Sequence, residues 1–204
     1  NEYALVKSVP GIFTFTYWPG KKLNEAGSSS SIEKLIVESE SFSTITSYNS
    51  TAATGWFKVV TKDGVEMQFG NTNDSRVSPG LNDITLTWRI NRIKYPDGNY
   101  IDFLYTGDRG TNGTFESVLD EIKYTGNTIT GLLPYNSIKF TYLQRNDKVT
   151  MYIAGYPIKN SFLLDKITVK ADGTTAKTYQ FNYASDVSTT VTVNSYLKEV
   201  IESG

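Results

Sequence analysis

The stretch Trp-Arg-Ile-Asn-Arg-Ile-Lys-Tyr-Pro-Asp-Gly-Asn at residues 88–99 shows the pattern that decides the fold. Two apolar residues three positions apart are followed, two residues later, by an aromatic or β-branched residue and then by a glycine turn. The pattern returns as Val-Leu-Asp-Glu-Ile-Lys-Tyr-Thr-Gly-Asn (118–127), Leu-Leu-Asp-Lys-Ile-Thr-Val-Lys-Ala-Asp-Gly-Thr (163–174) and Tyr-Leu-Lys-Glu-Val-Ile-Glu-Ser-Gly (196–204). Irregular repeats of strand, turn and strand are typical of an extended surface or shell and not of a compact catalytic pocket.

The composition excludes several classes of function. The chain contains no Cys and no His, which removes thiol nucleophiles, Ser-His and Cys-His dyads, disulfides and the common zinc sites. Its net charge is −1 and it has no basic stripe, which argues against nucleic-acid binding. No apolar run approaches membrane-spanning length. These absences remove the commonest catalytic side chains and zinc ligands, and we expect no cofactor and no metal.

Abundant Tyr, Phe, Ser and Thr, with apolar and polar residues alternating in short segments, predict an all-β fold. We expect an antiparallel meander of hairpins in one or two large twisted sheets, either an open sheet or a sandwich. We expect one β-rich domain over residues 1–204, with a soft division near 79–85 before the hairpin repeats. Residues 32–42 are open to a helix capped by Ser31 or to a strand, which the alternation after them favours. A strand at 196–201 and a helix at 195–202 both remain open.

Three turns share an Asp-Gly pair, and each can form a two-residue type I′ loop or a three-residue loop with a glycine bulge. The three-residue loop keeps the apolar residues of both strands on one face, and it pairs Val59 with Met67 and Ile93 with Ile101. We predict that loop at all three sites, with the glycines at positive φ. The turn residues are Asp63 and Gly64, then Pro96, Asp97 and Gly98, then Asp172 and Gly173. The core is predicted at Ile93, Ile101, Phe103, Ile122, Phe140, Tyr142, Ile167, Phe181 and Tyr183.

Two sets of side chains are candidates for a functional site. Tyr17 and Trp18, beside a Pro-Gly turn, are candidates for an exposed platform that stacks on carbohydrate. Trp56 and Trp88 begin strands, and we expect them in the core. A hydrolase would need paired carboxylates across a cleft, and the candidates, which solvation explains better, are Asp108, Asp120, Glu121 and Asp147. The turn aspartates lack the Asp-x-Asp-x-Asp-Gly series of a calcium loop.

The order of motifs between residues 56 and 183 resembles a known family. The motifs are Trp-Phe-Lys-Val-Val-Thr-Lys-Asp-Gly-Val-Glu-Met-Gln-Phe-Gly (56–70), the segments 88–105, 119–127 and 138–147, and the closing Leu-Asp-Lys-Ile to Tyr-Gln-Phe-Asn-Tyr segment. Together they are similar to the region ahead of the repeats in RHS/YD-repeat proteins. Both the SpvB-type N-terminal region of insecticidal toxin complexes and the large secreted RHS-like proteins of Bacteroidetes show this order. The Tyr-Asp repeat with its trailing Gly-Arg is not present as such.

The resemblance implies an architectural region with no catalytic residues to transfer. Family members use β-hairpin repeats to build a hollow shell around a C-terminal toxin or adhesive segment. We therefore expect a non-enzymatic structural module, part of a longer secreted or cell-surface bacterial protein, whose partner is the remainder of its own polypeptide. The alternatives are a surface module that binds carbohydrate or another ligand, and third a hydrolase. A strand at 196–201 with a free edge would invite pairing with another chain, and a homodimer formed there would be an artefact of the cut edge.

Overall fold

The computed structural model describes residues 3–9, 12–17, 32–35, 43–49, 54–78, 85–109, 115–153, 156–185 and 194–204. Its one helical element in these ranges is a 3₁₀ turn at Asn73–Ser75, and none of the described helices is long and apolar enough to cross a membrane. The described strands are β1 (Tyr3–Val9), β2 (Ile12–Tyr17), β3 (Ile32–Leu35), β4 (Thr44–Tyr48), β5 (Trp56–Val60), β6 (Glu66–Phe69), β7 (Arg76–Val77), β8 (Thr87–Lys94), β9 (Asn99–Arg109), β10 (Phe115–Asn127), β11 (Asn136–Ile153), β12 (Tyr156–Ala171), β13 (Thr174–Ser185) and β14 (Ser195–Ser203).

Eleven of these strands form an open sheet in the order β14-β13-β12-β11-β10-β9-β8-β6-β5-β4-β3. Neighbours in this order are antiparallel, while β2 and β7 also pair with β8, and β1 pairs with β2. From β8 onward the chain forms the consecutive hairpins β8–β9, β10–β11 and β12–β13. The predicted all-β class and the antiparallel meander are confirmed, because local turns join strands that alternate in polarity.

Two of the three Asp-Gly turns adopt the three-residue loop expected from the sequence. Gly64 donates its N–H to the carbonyl of Thr61 (2.9 Å), and Gly98 donates to the carbonyl of Tyr95 (2.9 Å). Both glycines have positive φ, 79° and 86°, as the bulge position of this loop requires. The strands consequently pair Val59 with Met67 and Ile93 with Ile101.

The prediction of a three-residue loop at the third turn was wrong. Ala171 pairs directly with Thr174, which leaves a two-residue loop. Asp172 and Gly173 have φ of 49° and 77°, the type I′ conformation, whose twist matches that of the flanking strands. The extra residue lies at Ala176, where the register between β12 and β13 shifts by one. This bulge keeps the apolar residues of both strands on the face that was predicted.

The core lies in the first half of the sheet, which corrects the prediction that placed it along the repeats. The buried cluster is formed by Ile45, Phe57, Val59, Phe69, Trp88 and Ile90. Ile93 and Phe103 of the predicted core pack against this cluster. All of the predicted core residues are half-buried: Ile93, Ile101, Phe103, Ile122, Phe140, Tyr142, Ile167, Phe181 and Tyr183. The first residues of β8 pair with β2 and β7 and the last with β6 and β9. The strands that pair with the start of β8 and those that pair with its end therefore meet at the buried cluster. In the described residues β10–β14 follow one another in a single layer.

The two tryptophans of β5 and β8 differ in burial, and two segments left open by the sequence are strands where they are described. Trp88 is buried and donates its Nε1–H to the carbonyl of Gly55 (2.7 Å). Trp56 is half-buried, contrary to expectation, because it alternates with the buried Phe57 along β5 and so lies on the opposite face, where it stacks on Tyr48 (ring centroids 4.1 Å apart). Residues 32–35 form a strand, while 36–42 and most of the division near 79–85 lie outside the described residues. Residues 195–203 form a strand and not a helix.

Candidate functional site

An apolar row crosses one face of the sheet from strand to strand. Its members are cross-strand partners or alternate positions of one strand: Ile45, Val59, Met67, Ile93, Ile101, Phe103, Ile122, Ile138 and Val169. Ile45 is 1% exposed, the members beyond β5 are half-buried, and Val200 on β14 is 48% exposed. Burial of the apolar row thus falls toward β14.

A polar row occupies the alternate positions of the same strands. Gln68, Arg92, Asp102 and Lys123 are successive cross-strand partners on β6, β8, β9 and β10. Arg92 donates to both carboxylate oxygens of Asp102 (2.6 and 2.8 Å), and these hydrogen bonds raise the pKa of Arg92. Together with the loop at residues 71–74, the row lines a shallow cavity of about 380 Å³. The sheet therefore presents two chemically different faces.

The first strand of each repeat contains a bulge at the same place. In β8 the bulged residue is Asn91, because the neighbouring strand β6 pairs with Ile90 and then with Arg92. Register shifts leave one extra residue in β10, β12 and β14 in the same way. The bulged residues are Asn91, Asp120, Asp165 and Lys198, and the apolar residues before them are Ile90, Leu119, Leu164 and Leu197. The bulges therefore recur with the repeat, as built features of the sheet.

A tyrosine on the second strand of each hairpin binds the carbonyl before the bulge. The hydroxyl of Tyr105 donates to the carbonyl of Ile90 (2.8 Å), that of Tyr142 to Leu119 (2.5 Å) and that of Tyr183 to Leu164 (2.8 Å). We call these three residues the bulge-binding tyrosines. A bulge disrupts the ladder locally, and the phenol supplies a donor at that point. Burial raises the pKa of all three phenols, that of Tyr142 to about 12, so they remain donors at neutral pH.

Two of these tyrosines, Tyr142 and Tyr183, were predicted to lie in the core, and their hydrogen bonds were not predicted. The signal is nevertheless present, because Phe-x-Tyr recurs at 103–105, 140–142 and 181–183, each time one strand after the apolar-polar-charged-Ile pattern. Tyr142 and Tyr183 are half-buried, and a partly buried phenol usually finds a hydrogen-bond partner. Which carbonyl it reaches depends on the register of the bulged neighbour, and that register is not visible in one strand.

Glu116 closes a larger irregularity between β11 and β12. Residues 145–148 of β11 leave the ladder, and Ser161 is the one residue of β12 that lies opposite this excursion. Glu116 Oε1 accepts the N–H of Ser161 (2.6 Å) and that of Phe162 (3.0 Å). Glu116 and Ser161 are each 8% exposed. The carboxylate of a neighbouring strand thus satisfies buried N–H groups that would otherwise lose their partners.

Asp147 ties the same excursion to the start of β14. Its carboxylate accepts two hydrogen bonds from Arg145 (3.0 and 3.1 Å) and two from Ser195, one from the backbone N–H (2.7 Å) and one from the hydroxyl (2.8 Å). The side chain is 6% exposed. The hydrogen bonds from Arg145 and then those from Ser195 hold the pKa of Asp147 well below its usual range. The carboxylate therefore works as a structural clamp between β11 and β14.

The structure gives the candidate hydrolase carboxylates separate partners. The Nζ of Lys139 lies 2.8 Å from Oδ1 of Asp120, and the Nζ of Lys123 lies 3.6 Å from Oε2 of Glu121. Asp147 belongs to the clamp between β11 and β14. The side chain of Asp108, the side chain of Tyr17 and residue Trp18 lie outside the described residues. Within the described part, no group of three or more acidic side chains is arranged to hold a metal ion.

The fold has counterparts among solved structures, whereas no protein-family model and no curated protein sequence matches the chain. The N-terminal domain of effector protein SpvB from Salmonella typhimurium strain LT2 is 15% identical, with a TM-score of 0.68 over 95% of this chain and 78% of that chain. TcdB2-TccC3 is 14% identical, with a TM-score of 0.66 over 95% of this chain and 12% of that chain.

The Photorhabdus luminescens Tc holotoxin pore is also 14% identical, with a TM-score of 0.64 over 94% of this chain. This chain spans 12% of the length of the TcdB2-TccC3 chain and of the matched holotoxin chain. At these identities the likeness concerns the fold. The chain has a toxin-complex-like fold, shared with structural domains of toxin and effector proteins.

Proposed function

We propose that this chain is a non-enzymatic structural module of a secreted or cell-surface bacterial protein of the RHS/YD type, in which the sheet forms one wall of a larger β-shell. The open edge of β14 carries this proposal. Within the described residues β14 pairs with β13 alone, and all of its positions from 196 to 203 are exposed. A hairpin series with an open edge extends by adding further strands. The partner would be the remainder of the same polypeptide.

The two faces of the sheet support the same proposal. An apolar row that is half-buried from β6 to β12 and exposed at β14 gains free energy when another layer covers it, at about 25 cal/mol per Å² of apolar surface. The buried carboxylates Glu116 and Asp147 bind backbone and side-chain donors of the sheet itself, which is a structural use. The small share of the TcdB2-TccC3 chain that this fold spans agrees with a part of a larger protein.

The structure of the complete natural polypeptide, determined by electron cryomicroscopy, tests the proposal. We expect β14 to have an antiparallel neighbour on its second side and the apolar row to face an enclosed space. A complete polypeptide in which the edge of β14 faces solvent would contradict the proposal. Hydrolysis of an oligosaccharide that Asp120→Asn or Glu121→Gln abolishes, with the fold retained, would contradict the non-enzymatic assignment.

The cavity on the polar face supports a second candidate, the binding of a neutral polar ligand such as an oligosaccharide. Arg92 is neutralised by Asp102 and its guanidinium lies 4.4 Å from the ring centroid of Tyr100. Asn71 donates from its amide to Gln68 (2.9 Å) and keeps a second amide hydrogen. Fixed donors beside amide acceptors match hydroxyl groups, which both donate and accept.

An array of neutral and acidic oligosaccharides tests this candidate. We expect a neutral oligosaccharide to bind and Asn71→Ala to weaken binding about five-fold, the cost of one hydrogen bond. Lys170→Ala, on the same polar face but outside the cavity, is the matched control. An array without a neutral ligand, or equal losses in both variants, would exclude the cavity as a binding site.

A further inference from the structure

The three complete hairpins place their bulge-binding tyrosines by one rule. The residue after each bulge pairs with a polar residue on the second strand: Arg92 with Asp102, Glu121 with Lys139, and Lys166 with Gln180. The tyrosine follows that polar residue by three positions in every case. The geometry therefore repeats with the hairpin, although the two strands are joined by connections of different length.

The hairpins are also linked to each other along one line across the sheet. Tyr105 is the cross-strand partner of Leu119, whose carbonyl accepts the hydroxyl of Tyr142. Tyr142 is in turn the partner of Leu164, whose carbonyl accepts the hydroxyl of Tyr183. Cross-strand pairs and phenol–carbonyl hydrogen bonds thus alternate from β8 to β13.

The line reaches β14 and stops there within the described residues. Tyr183 pairs with Leu197, and the next residue, Lys198, is bulged like its counterparts in the earlier strands. Leu197 is 50% exposed, and no described tyrosine donates to its carbonyl. β14 therefore has the form of the first strand of a fourth hairpin.

We infer that the free edge of β14 binds an antiparallel strand with the sequence polar-Phe-x-Tyr, whose tyrosine hydroxyl donates to the carbonyl of Leu197. This inference rests on the proposed function, in which the strand belongs to the same polypeptide. Phe occupies this position in all three complete hairpins, at residues 103, 140 and 181. In the bound strand it would extend the apolar row beside Val200.

The residue before the Phe is polar in all three complete hairpins, namely Asp102, Lys139 and Gln180. Lys139 binds the bulged Asp120 with both oxygens at 2.8 Å, and the amide of Gln180 donates to the bulged Asp165 (2.7 Å). In these two hairpins the side chain at this position contacts the bulged residue, whereas Asp102 binds its cross-strand partner Arg92. In β14 the bulged residue is Lys198 and the residue after it is Glu199, so an uncharged amide, which both donates and accepts, is the complementary side chain.

A chain extended from its own sequence tests the inference. Residues 1–202 are followed by a second copy of residues 96–106 with Asp102→Asn, which supplies Pro-Asp-Gly as the turn and Asn-Phe-Leu-Tyr as the strand. The register of β8–β9 is preserved, because three residues separate Glu199 from the added proline and three residues separate Arg92 from Pro96. One further chain also carries Tyr105→Phe in the added copy, and another keeps Asp102 there.

Hydrogen exchange of the β14 amides is the measurement. We expect these amides to exchange more slowly in the extended chain than in the 204-residue chain. Tyr105→Phe in the copy should remove part of this protection, with about five-fold faster exchange for one lost hydrogen bond, and the copy that keeps Asp102 should do the same through repulsion of Glu199. Tyr183→Phe in the unextended chain is the reference for the cost of one bulge-binding tyrosine.

The outcomes separate the inference from the proposed function. Protection of β14 that is equal with Tyr and Phe in the copy overturns the tyrosine rule and leaves the proposed wall intact. No protection in any extended chain contradicts both. If the extended chain does not fold, a synthetic peptide of residues 99–106 with Asp102→Asn, and its Tyr105→Phe form, are titrated into the 204-residue chain. Selective shifts of the β14 amide resonances, weaker with Phe, support the inference, and their absence overturns it.

Discussion

Replacing Tyr142 with Phe removes one hydroxyl from the sheet and keeps the aromatic ring. The hydroxyl donates to the carbonyl of Leu119 over 2.5 Å, beside the bulge at Asp120. A hydrogen bond contributes about 0.5–1.5 kcal/mol net, and an acceptor left unpaired in a partly buried place adds to the loss. We therefore expect Tyr142→Phe to lower the free energy of unfolding by about 1–2 kcal/mol.

Urea unfolding followed by tryptophan fluorescence measures this change, because Trp88 lies in the buried cluster. Tyr135→Phe is the matched control, since Tyr135 lies in the connection of the same hairpin and is 48% exposed. We expect the control to stay within about 0.5 kcal/mol of the original chain. Equal midpoints for Tyr142→Phe and the original chain, at unchanged slope, would refute the role of the bulge-binding tyrosine.

The same phenol has a signature at alkaline pH. Burial raises the pKa of Tyr142 from 10 to about 12 in the folded chain. The folded state therefore holds this proton more tightly than the unfolded state, so the stability it contributes is full below about pH 10 and is lost as the pH rises toward about 12. Tyr142→Phe should make this alkaline loss shallower, which melting temperatures across this pH range would show. A loss of the same steepness in both chains would contradict the assignment.

Three further changes test other parts of the sheet. Glu116→Ala leaves two N–H groups of β12 without their acceptor and should lower the free energy of unfolding by about 3 kcal/mol. Glu116→Gln keeps an acceptor oxygen and should cost much less. Equal losses of unfolding free energy in urea for the two variants would contradict this role. The lowered pKa of Asp147 means that its stabilisation is full above about pH 4 and is lost as the pH falls. Asp147→Asn should therefore flatten the acid limb of the melting-temperature profile, and an unchanged limb would exclude the clamp. Gly70→Ala places a Cβ in steric overlap with Cδ1 of Trp88 at a φ of 74° and should cost about 3 kcal/mol in thermal unfolding. A neutral result would show that the indole has room to move.

Several features of this fold follow from local chemistry and were predictable. The conformation of Gly64 and Gly98 depends on a positive φ that glycine adopts without steric cost. The alternation of apolar and polar residues assigns faces to each strand through its two-residue period. At Asp172 and Gly173 the loop type was wrong, and the predicted face survived because the bulge at Ala176 restores the register that the shorter loop would have changed.

The position of the core and the bulge-binding tyrosines depended on the tertiary structure. Ile45 and Val200 are similar apolar residues of one face, yet one is 1% exposed and the other 48%, because burial requires a second layer that the strand itself does not encode. The hydroxyl of Tyr142 reaches Leu119 because a neighbouring strand carries an extra residue there. The sequence by itself thus determined the class of fold, two of the turns and the two faces, all of which arise within a few residues of the chain. The tertiary structure decided which face is covered, which carbonyl each phenol binds and where the sheet stays open, since these depend on the register between strands that are distant in sequence.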